Sequence, residues 1–297
     1  MKPPRFDYLQ PETVDEAVAA LAEYGSEAKI LAGGQSLIPL LNMRLATPAA
    51  LVDLNRVQGL AGIEATPSGL VTGSLVRQAA LLAWAKAQPA WRVLAEAISH
   101  IGHPQTRNAG TVGGSLVHAD PSAELPLLFV TLGGRAEVEG PSGRRAVEAQ
   151  DFFQFLFTTA LSPQEVLTAI HWHALPPRGG AAFAEFSRRR GDFAVVAAAA
   201  VVRVDEEHRI SGARLGFSGM GPVPQLVEIE PYLAGGAWSA EGAASALAEL
   251  VAGLDPPGDL AASPEQRRRL ARVLGADVLA RAYQRAVAVS DSDREGR

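Results

Sequence analysis

The N-terminal part of the chain alternates short apolar runs with apolar positions at helical spacing. Thr13-Val14-Asp15-Glu16 has the pattern of a capping box, and the apolar stripe behind it ends at Gly25, so a helix is predicted there. Strands are predicted at residues 29–32 and 51–53, with a helical stretch at residues 37–45 between them. This strand, helix, strand order predicts a small α/β unit with a partly parallel sheet.

Hairpins and helices are predicted in the middle of the chain. Turns at Thr66-Pro67-Ser68-Gly69 and Gly140-Pro141-Ser142-Gly143 separate paired apolar runs and predict two hairpins. The other predicted elements are helices at residues 76–87, 91–99 and 125–132 and a strand at residues 165–172. Residues 101–126 are too polar, and too often interrupted by glycine and proline, to form a core helix or strand. We interpret this stretch as a loop in which a ligand site would lie.

The C-terminal part of the chain follows a predicted linker, Pro176-Pro177-Arg178-Gly179-Gly180. Predicted strands at residues 182–188, 193–204 and 209–217 precede predicted helices at residues 225–233, 240–252 and 265–289. This order predicts an α+β module with a three-stranded antiparallel meander. The polar residues 290–297 are predicted to form a disordered tail.

Composition limits the chemistry that the chain can perform. The formal net charge of -5 argues against a nucleic-acid-binding surface, and no apolar run is long enough to span a bilayer. The chain has no cysteine, which excludes disulfides, thiolate zinc sites and cysteine-held iron–sulfur clusters within it. Redox chemistry in this chain would therefore need an organic cofactor.

Two glycine-bearing segments are the candidate binding motifs. Gly33-Gly34 follows a predicted strand, and Gly110 and Gly113-Gly114 lie in the central loop. Glycine lacks a Cβ atom, so its backbone can adopt a positive φ and lets an anion or a ring approach the amides. The first segment lacks the Gly-Lys-Ser/Thr of a Walker loop and the Gly-x-Gly-x-x-Gly of a Rossmann fold, and taken alone it is equally compatible with an ordinary glycine turn.

The two segments together resemble a known family. The sequence Arg107-Asn108-x-Gly110-Thr111-Val112-Gly113-Gly114-Ser115, followed by His118-Ala119-Asp120-Pro121-x-x-Glu124, closely resembles the second flavin-binding segment of the FAD-carrying medium subunit of molybdenum hydroxylases. Aerobic carbon monoxide dehydrogenase and xanthine dehydrogenase belong to that family. Ala32-Gly33-Gly34-Gln35-Ser36-Leu37 resembles the family's first flavin loop.

The resemblance implies a role for particular residues. Ala32 to Ser36 would surround the pyrophosphate of FAD, Thr111, Gly114 and Ser115 would continue that site, and Glu124 would accept a hydrogen bond from the ribose or adenine end. Phe193 would shield one face of the isoalloxazine ring. The residues assigned to FAD are Lys29, Ala32, Gly33, Gly34, Gln35, Ser36, Leu37, Ile101, Gly110, Thr111, Gly114, Ser115, Glu124, Leu161, Leu167 and Phe193. Glu185 stands where some relatives have lysine. The resemblance therefore does not establish a cationic contact to the cofactor at position 185.

The histidines and Asp120 are interpreted as structural. His100, His103 and His118 have no recognisable metal-ligand spacing, and His171 and His173 alternate along a predicted strand. Asp120 lies near a predicted helix start, where carboxylates also act as caps. We therefore predict no metal ligand and no catalytic nucleophile, general acid or general base in this chain.

The resemblance also implies the fold and the domains. An α+β chain is expected, with a two-lobed FAD-binding domain of the PCMH type, as in vanillyl-alcohol oxidase-like flavoproteins, at residues 1–176. Its lobes would cover residues 1–57 and 58–176. A smaller α+β domain would follow at residues 177–289, before the tail.

The function implied by the resemblance is electron transfer. A large partner subunit would oxidise substrate at a molybdenum-pterin cofactor, a small one would pass the electrons through [2Fe-2S] clusters, and FAD here would deliver them to an external acceptor. The expected assembly is a cytoplasmic dimer of heterotrimers, a heterohexamer. Two other readings stay open: a free-standing flavin oxidase or reductase, and a cofactor-free binding or assembly protein.

Overall fold

The computed structural model describes the backbone of residues 2–295 and the side chains as far as Asp291. The strands in chain order are β1 (Asp7–Leu9), β2 (Ala28–Leu31), β3 (Ala50–Asp53), β4 (Ile63–Thr66), β5 (Gly69–Gly73), β6 (Gly134–Gly140), β7 (Gly143–Glu148), β8 (Phe153–Phe155), β9 (Thr158–Thr159), β10 (Val166–His173), β11 (Gly179–Ser187), β12 (Ala194–Val204), β13 (Ile210–Ser218) and β14 (Gln225–Val227). The helices are α1 (Val14–Tyr24), α2 (Leu37–Asn42), α3 (Gln78–Lys86), α4 (Arg92–Ile98), α5 (Pro104–Ala109), α6 (Val112–His118), α7 (Glu124–Leu132), α8 (Ala149–Phe152), α9 (Glu230–Leu233), α10 (Ala240–Ala252) and α11 (Pro264–Glu295).

The chain forms two compact units that are not continuous in sequence. The first unit comprises Met1–Leu81, His103–Ala119 and Gly134–Trp172. The second comprises Leu82–Gly102, Asp120–Gly133 and His173–Arg297. The domain boundaries predicted from the sequence are a different division and stay a prediction.

The first unit contains a parallel sheet and a larger sheet. Strand β3 pairs in parallel with β1 on one side and β2 on the other, as the strand, helix, strand pattern predicts. The larger sheet has the order β4-β5-β10-β6-β7 and contains both predicted hairpins. Helix α1 buries Ala17, Val18 and Leu21, and its N-cap Thr13 accepts a hydrogen bond from the Glu16 amide, as the capping pattern predicts. Strand β2 ends at Leu31, and the chain continues directly into the glycine-bearing residues 32–36.

The second unit is built around one antiparallel sheet, ordered β11-β12-β13-β14. Strand β12 is buried along most of its length, because it lies between two strands and its alanines and valines leave room for helices to pack. Helix α11 comes so close to β11 that a Cβ atom on Gly180 would lie 2.1 Å from the Ala282 carbonyl oxygen. All residues of α7 are buried, which confirms the predicted buried helix and places its first residue, Glu124, in the interior of this unit.

Several predicted elements are corrected by the structure. The sheet of the C-terminal part has four strands, since β14 occupies the start of the predicted helix at residues 225–233 and only the short α9 remains helical. The linker is shorter than predicted because Gly179 and Gly180 are buried in β11. The central stretch contains the short helices α5 and α6 and is therefore not an irregular loop.

The predicted disordered tail is also wrong for most of its length. Helix α11 continues to Glu295, because Ser290 is fully buried and Asp291 lies 2.9 Å from His208 in an ion pair. The contacts of Ser290 and Asp291 thus override the polar composition at the start of the predicted tail. The last two positions of the predicted tail, Gly296 and Arg297, lie outside the described residues.

Candidate functional site

The first glycine segment, Ala32 to Ser36, connects β2 to α2 and is partly exposed. Gly34 has a φ of 69°, which favours glycine, so the segment can turn sharply into α2. Within residues 2–295, the amide N–H groups of Gly33 to Ser36 donate no hydrogen bond. A row of free amide donors on an accessible glycine turn is the arrangement that binds anions in proteins. Helix α2 has only six residues, so its dipole adds little to these amides.

The second glycine segment, Gly110 to Ser115, contains the junction of α5 and α6. Most of its amides are already hydrogen-bonded: Gly110 to the Thr106 oxygen at 2.7 Å, Val112 to Val76 at 2.9 Å and Gly113 to Ser74 at 2.9 Å. The Gly114 amide donates to the Thr111 hydroxyl oxygen at 3.0 Å, which caps α6. This segment is therefore a rigid support, and the donors that it can offer a ligand are mainly its hydroxyl groups.

The two segments touch each other. A Cβ atom on Gly33 would lie 2.5 Å from the Ala109 carbonyl oxygen and 2.8 Å from the Gly110 Cα atom. A Cβ atom on Gly114 would lie 3.9 Å from the Cβ atom of Ala32. Only glycine permits the first of these contacts, since both neighbours are backbone atoms. We call the two segments together, Ala32 to Ser36 and Gly110 to Ser115, the glycine cradle.

A hydrogen-bonded network that the sequence did not reveal lies at the glycine cradle. The Arg77 guanidinium donates to the Ala109 carbonyl oxygen and, at 2.6 Å, to the Asn55 side-chain oxygen. The Asn55 amide nitrogen donates to the Ala32 carbonyl oxygen at 2.9 Å and also to Asp53. The only sequence signal was that Arg77 is the sole cation between Arg56 and Lys86. No motif connects it with either glycine segment.

Asp53 anchors this network at the end of β3. Its carboxylate accepts hydrogen bonds from the Tyr8 hydroxyl and from the backbone and side chain of Asn55. Burial alone would raise the pKa of Asp53, but these hydrogen bonds outweigh it and hold the pKa below its usual range. Asp53 is therefore ionised at neutral pH and fixes the Asn55 side chain.

The other predicted cofactor residues of the first unit lie on separate elements. Lys29 is exposed on β2, Leu37 is half-buried at the start of α2, and Leu167 is buried on β10. Leu161 is half-buried, and its amide donates to the Thr159 hydroxyl at 3.3 Å. The cation hydrogen-bonded next to the glycine cradle is instead Arg77, through Ala109 and Asn55.

The second unit contains a buried carboxyl pair, Glu124 and Glu185. Glu124 is 6% exposed, and burial, followed by the charge of Glu185, raises its pKa to about 8. The side chain of Glu185 is 1% exposed, and His100 Nδ1 lies 3.1 Å from one of its oxygens, at ion-pair distance but without the alignment of a hydrogen bond. Glu124 is therefore a neutral acid at neutral pH, which can donate as well as accept.

Ile101 and Phe193 also belong to the second unit. Ile101 is half-buried beyond the end of α4, and Phe193 is 67% exposed after the turn that follows β11. An exposed aromatic ring of this kind is available to contact a flat ligand or a partner. The roles of all sixteen predicted FAD residues stay predictions.

Metal clusters and membrane-spanning helices are both absent from the described part of the chain. Between residues 2 and 291, no cluster of three or more His, Cys, Asp or Glu side chains could hold a metal ion. Among the helices that the structure describes, none is long and apolar enough to cross a membrane.

Two family models match the chain. Residues 4–172 match a model described as the FAD binding domain in molybdopterin dehydrogenase. Residues 181–282 match a model described as the CO dehydrogenase flavoprotein C-terminal domain. Together these matches cover both glycine segments and all of the four-stranded sheet except the first two residues of β11.

Similar proteins were found by sequence and by structure. The chain is 39% identical to the 6-hydroxypseudooxynicotine dehydrogenase complex subunit alpha of Paenarthrobacter nicotinovorans, over 98% of this chain and 99% of that one. It is 35% identical to the carbon monoxide dehydrogenase medium chain of Hydrogenophaga pseudoflava, over 91% and 94%. A solved carbon monoxide dehydrogenase from the same organism superposes with a TM-score of 0.92 at 35% identity, covering 96% of this chain and 99% of that chain.

Proposed function

Because this chain belongs to the FAD-carrying medium subunits of the molybdenum hydroxylase family, we propose that its glycine cradle binds the diphosphate of FAD. The chain is an oxidoreductase subunit. Its role is to pass electrons from the iron–sulfur clusters of a partner subunit to an external acceptor. Substrate oxidation takes place on another subunit.

The proposal is supported by free amide donors in the first segment, at the place where that segment touches the backbone of the second. The amides of Gly33 to Ser36 have no acceptor within residues 2–295, while Gly33 lies against the backbone of Ala109 and Gly110. Backbone N–H groups on a glycine turn bind phosphate oxygens without a charged side chain. The residues present therefore fit the diphosphate of a flavin dinucleotide.

The chain's own residues would hold and orient the cofactor. Amides of the first segment would bind phosphate oxygens, and the hydroxyl groups of Thr111 and Ser115 would donate from the second. When bound, FAD supplies the ability to take electrons singly and release them in pairs. No side chain of the cradle is a nucleophile or a general base, and none is needed for this role.

The resemblance also assigns cofactor contacts to Glu124, Phe193 and Ile101. The resemblance assigns Glu124 to the ribose or adenine end, and its neutral carboxyl can both donate and accept there. Phe193 would cover one face of the flavin ring, and Ile101 would add apolar contact. These assignments are part of the proposal.

The partners follow from the family. Its members include a carbon monoxide dehydrogenase medium chain and the FAD subunits of a nicotinate and a xanthine dehydrogenase. We propose a large molybdenum-pterin subunit and a small [2Fe-2S] subunit as partners, in a cytoplasmic dimer of heterotrimers. Because the substrate is bound on the large subunit, the present chain does not determine it.

The decisive experiment compares electron donors. The full chain is purified, its flavin is released by denaturation and identified, and the flavoprotein is mixed anaerobically either with reduced [2Fe-2S] protein or with small organic substrates. We expect about one FAD per chain and bleaching of the flavin absorbance by the iron–sulfur donor alone. Reduction by an organic substrate in isolation would support a free-standing oxidase or reductase, and a chain that cannot bind FAD would refute the proposal.

A further inference from the structure

Arg77 lies beside the contact between the two segments of the glycine cradle, and its side chain bonds to Ala109, the residue before the second segment, and to Asn55. One nitrogen donates to the Ala109 carbonyl oxygen, and the other donates to the Asn55 oxygen at 2.6 Å. Asn55 in turn donates to the Ala32 carbonyl oxygen at 2.9 Å. The connection therefore runs from Ala109, which directly precedes the second segment, through Arg77 and Asn55 to Ala32 in the first segment.

The bond from Asn55 to Ala32 determines where a binding amide points. The Ala32 carbonyl belongs to the same peptide group as the Gly33 N–H, and in a trans peptide the two bonds point in opposite directions. Fixing the carbonyl oxygen therefore orients the Gly33 N–H, one of the amides that has no acceptor among residues 2–295. Pre-orientation of a donor lowers the entropic cost of ligand binding.

The bond from Arg77 to Ala109 fixes the carbonyl oxygen that lies against Gly33. The Ala109 carbonyl oxygen is the atom that a Cβ atom on Gly33 would approach to 2.5 Å, so it lies where the two segments meet. Backbone bonds support the same geometry, since the Gln78 amide donates to the Gly110 oxygen at 2.9 Å. Arg77 thus acts on the closest point between the segments.

The charge of Arg77 is not neutralised by a carboxylate among the described residues. Other arginines of the first unit do have such partners: Arg145 lies 2.6 Å from Glu165, and Arg144 lies 2.9 Å from Glu139. Arg77 instead bonds only to neutral oxygens. The positive charge of this guanidinium is therefore not paired with a carboxylate beside the glycine cradle.

We propose that Arg77 is a positioning residue that holds the two segments of the glycine cradle at the geometry required by the FAD diphosphate, directly through Ala109 and through Asn55 to Ala32. This inference rests on the proposed function, because it concerns the same site. It predicts that the network affects diphosphate binding and leaves the flavin-ring end unaffected.

The test uses the full chain freed of flavin, with the variants Arg77→Gln and Asn55→Ala. Dissociation constants are measured for FAD by flavin fluorescence, and for ADP and riboflavin by displacement. Loss of a hydrogen bond to a charged group predicts FAD and ADP binding about ten- to a hundredfold weaker in Arg77→Gln, with riboflavin binding within about twofold of wild type. The double variant should be no weaker than the weaker single variant, since both act along one connection.

Arg144→Gln is the matched control, because Arg144 is exposed, pairs with Glu139 and should leave all three constants unchanged. FAD binding by Arg77→Gln within twofold of wild type, or an equal loss for riboflavin and ADP, overturns the inference while the proposed function stands. If Arg77→Gln does not fold, Asn55→Ala decides, since the Asn55 side chain is exposed. Failure of the wild-type chain to bind FAD would overturn the proposed function and this inference with it.

Discussion

The glycine cradle of the first unit and the buried carboxyl pair of the second unit differ in how their polar groups respond to pH. The first segment of the cradle offers neutral amides, and its supporting carboxylate, Asp53, stays ionised because hydrogen bonds lower its pKa. The carboxyl pair places Glu124 in a buried position where its pKa rises to about 8. Binding at the cradle should therefore be insensitive to pH near neutrality, whereas the stability of the second unit should depend on it.

The largest effect is expected from a methyl group in the cradle. Gly33→Ala places a Cβ atom 2.5 Å from the Ala109 carbonyl oxygen, so the two segments must separate. We expect FAD binding to weaken by about a hundredfold, measured by fluorescence titration, because overpacking against backbone costs about 1–3 kcal/mol.

Gly62→Ala is the control for this variant, since a Cβ atom there has no neighbour within 4 Å. The control should bind FAD like the wild type, and both variants should keep the same dependence of stability on pH. Tight FAD binding by Gly33→Ala would show that the contact between the segments is not required.

The next effect concerns the carboxyl pair. Since the pKa of Glu124 is raised from 4.5 to about 8, the folded chain keeps a proton that the unfolded chain loses at lower pH. The stabilising contribution of this proton is complete below about pH 4.5 and is lost as the pH rises through about 8. Glu124→Gln keeps a neutral side chain at every pH, so it should remove a fall in unfolding free energy on the order of 3 kcal/mol between about pH 5 and pH 8.

Urea denaturation at several pH values measures this difference. Glu185→Gln is the matched variant, because removing the charge of Glu185 should lower the pKa of Glu124 and move the loss of stability to lower pH. An unchanged pH dependence in Glu124→Gln would mean that Glu124 is ionised in the folded chain, and the contrast with the cradle would disappear.

The smallest effect is expected from removing the Thr111 cap in the second segment of the cradle, which should lower the unfolding free energy only slightly. Thr111→Val removes the hydroxyl oxygen that accepts from the Gly114 amide at 3.0 Å, with almost no change of volume. We expect a loss of about 1 kcal/mol in unfolding free energy, the usual value for a helix N-cap, measured by urea denaturation. Thr158→Val, at an exposed threonine, should cost less. If both cost the same, the second segment does not depend on its cap.

The glycine cradle could be predicted from sequence because its requirement is local. Gly33 tolerates no Cβ atom beside Ala109, and Gly113 tolerates none beside Ser74, so glycine is the only residue that fits and the motif is visible in the chain. Family membership, the α+β class and the FAD-binding assignment predicted from this motif are confirmed by the comparisons.

The supporting interactions could not be predicted because they join residues far apart in the chain. Arg77 donates hydrogen bonds to Ala109 and Asn55, and the charge of Glu185 raises the pKa of Glu124. No local sequence pattern shows that these residues are neighbours. The edge strand β14 has only three residues, too few for a period to show. The polar end of α11 stays helical through its contacts, among them the ion pair of Asp291 with His208.

Hydrogen–deuterium exchange of the full chain, with and without saturating FAD, tests the central claim most directly. The account predicts that FAD slows exchange of the Gly33 to Ser36 amides, which have no acceptor among residues 2–295, and changes little at Gly113 and Gly114, which are already bonded. Unchanged exchange at Gly33 to Ser36 with FAD fully bound would contradict the account, because the diphosphate would then be held elsewhere.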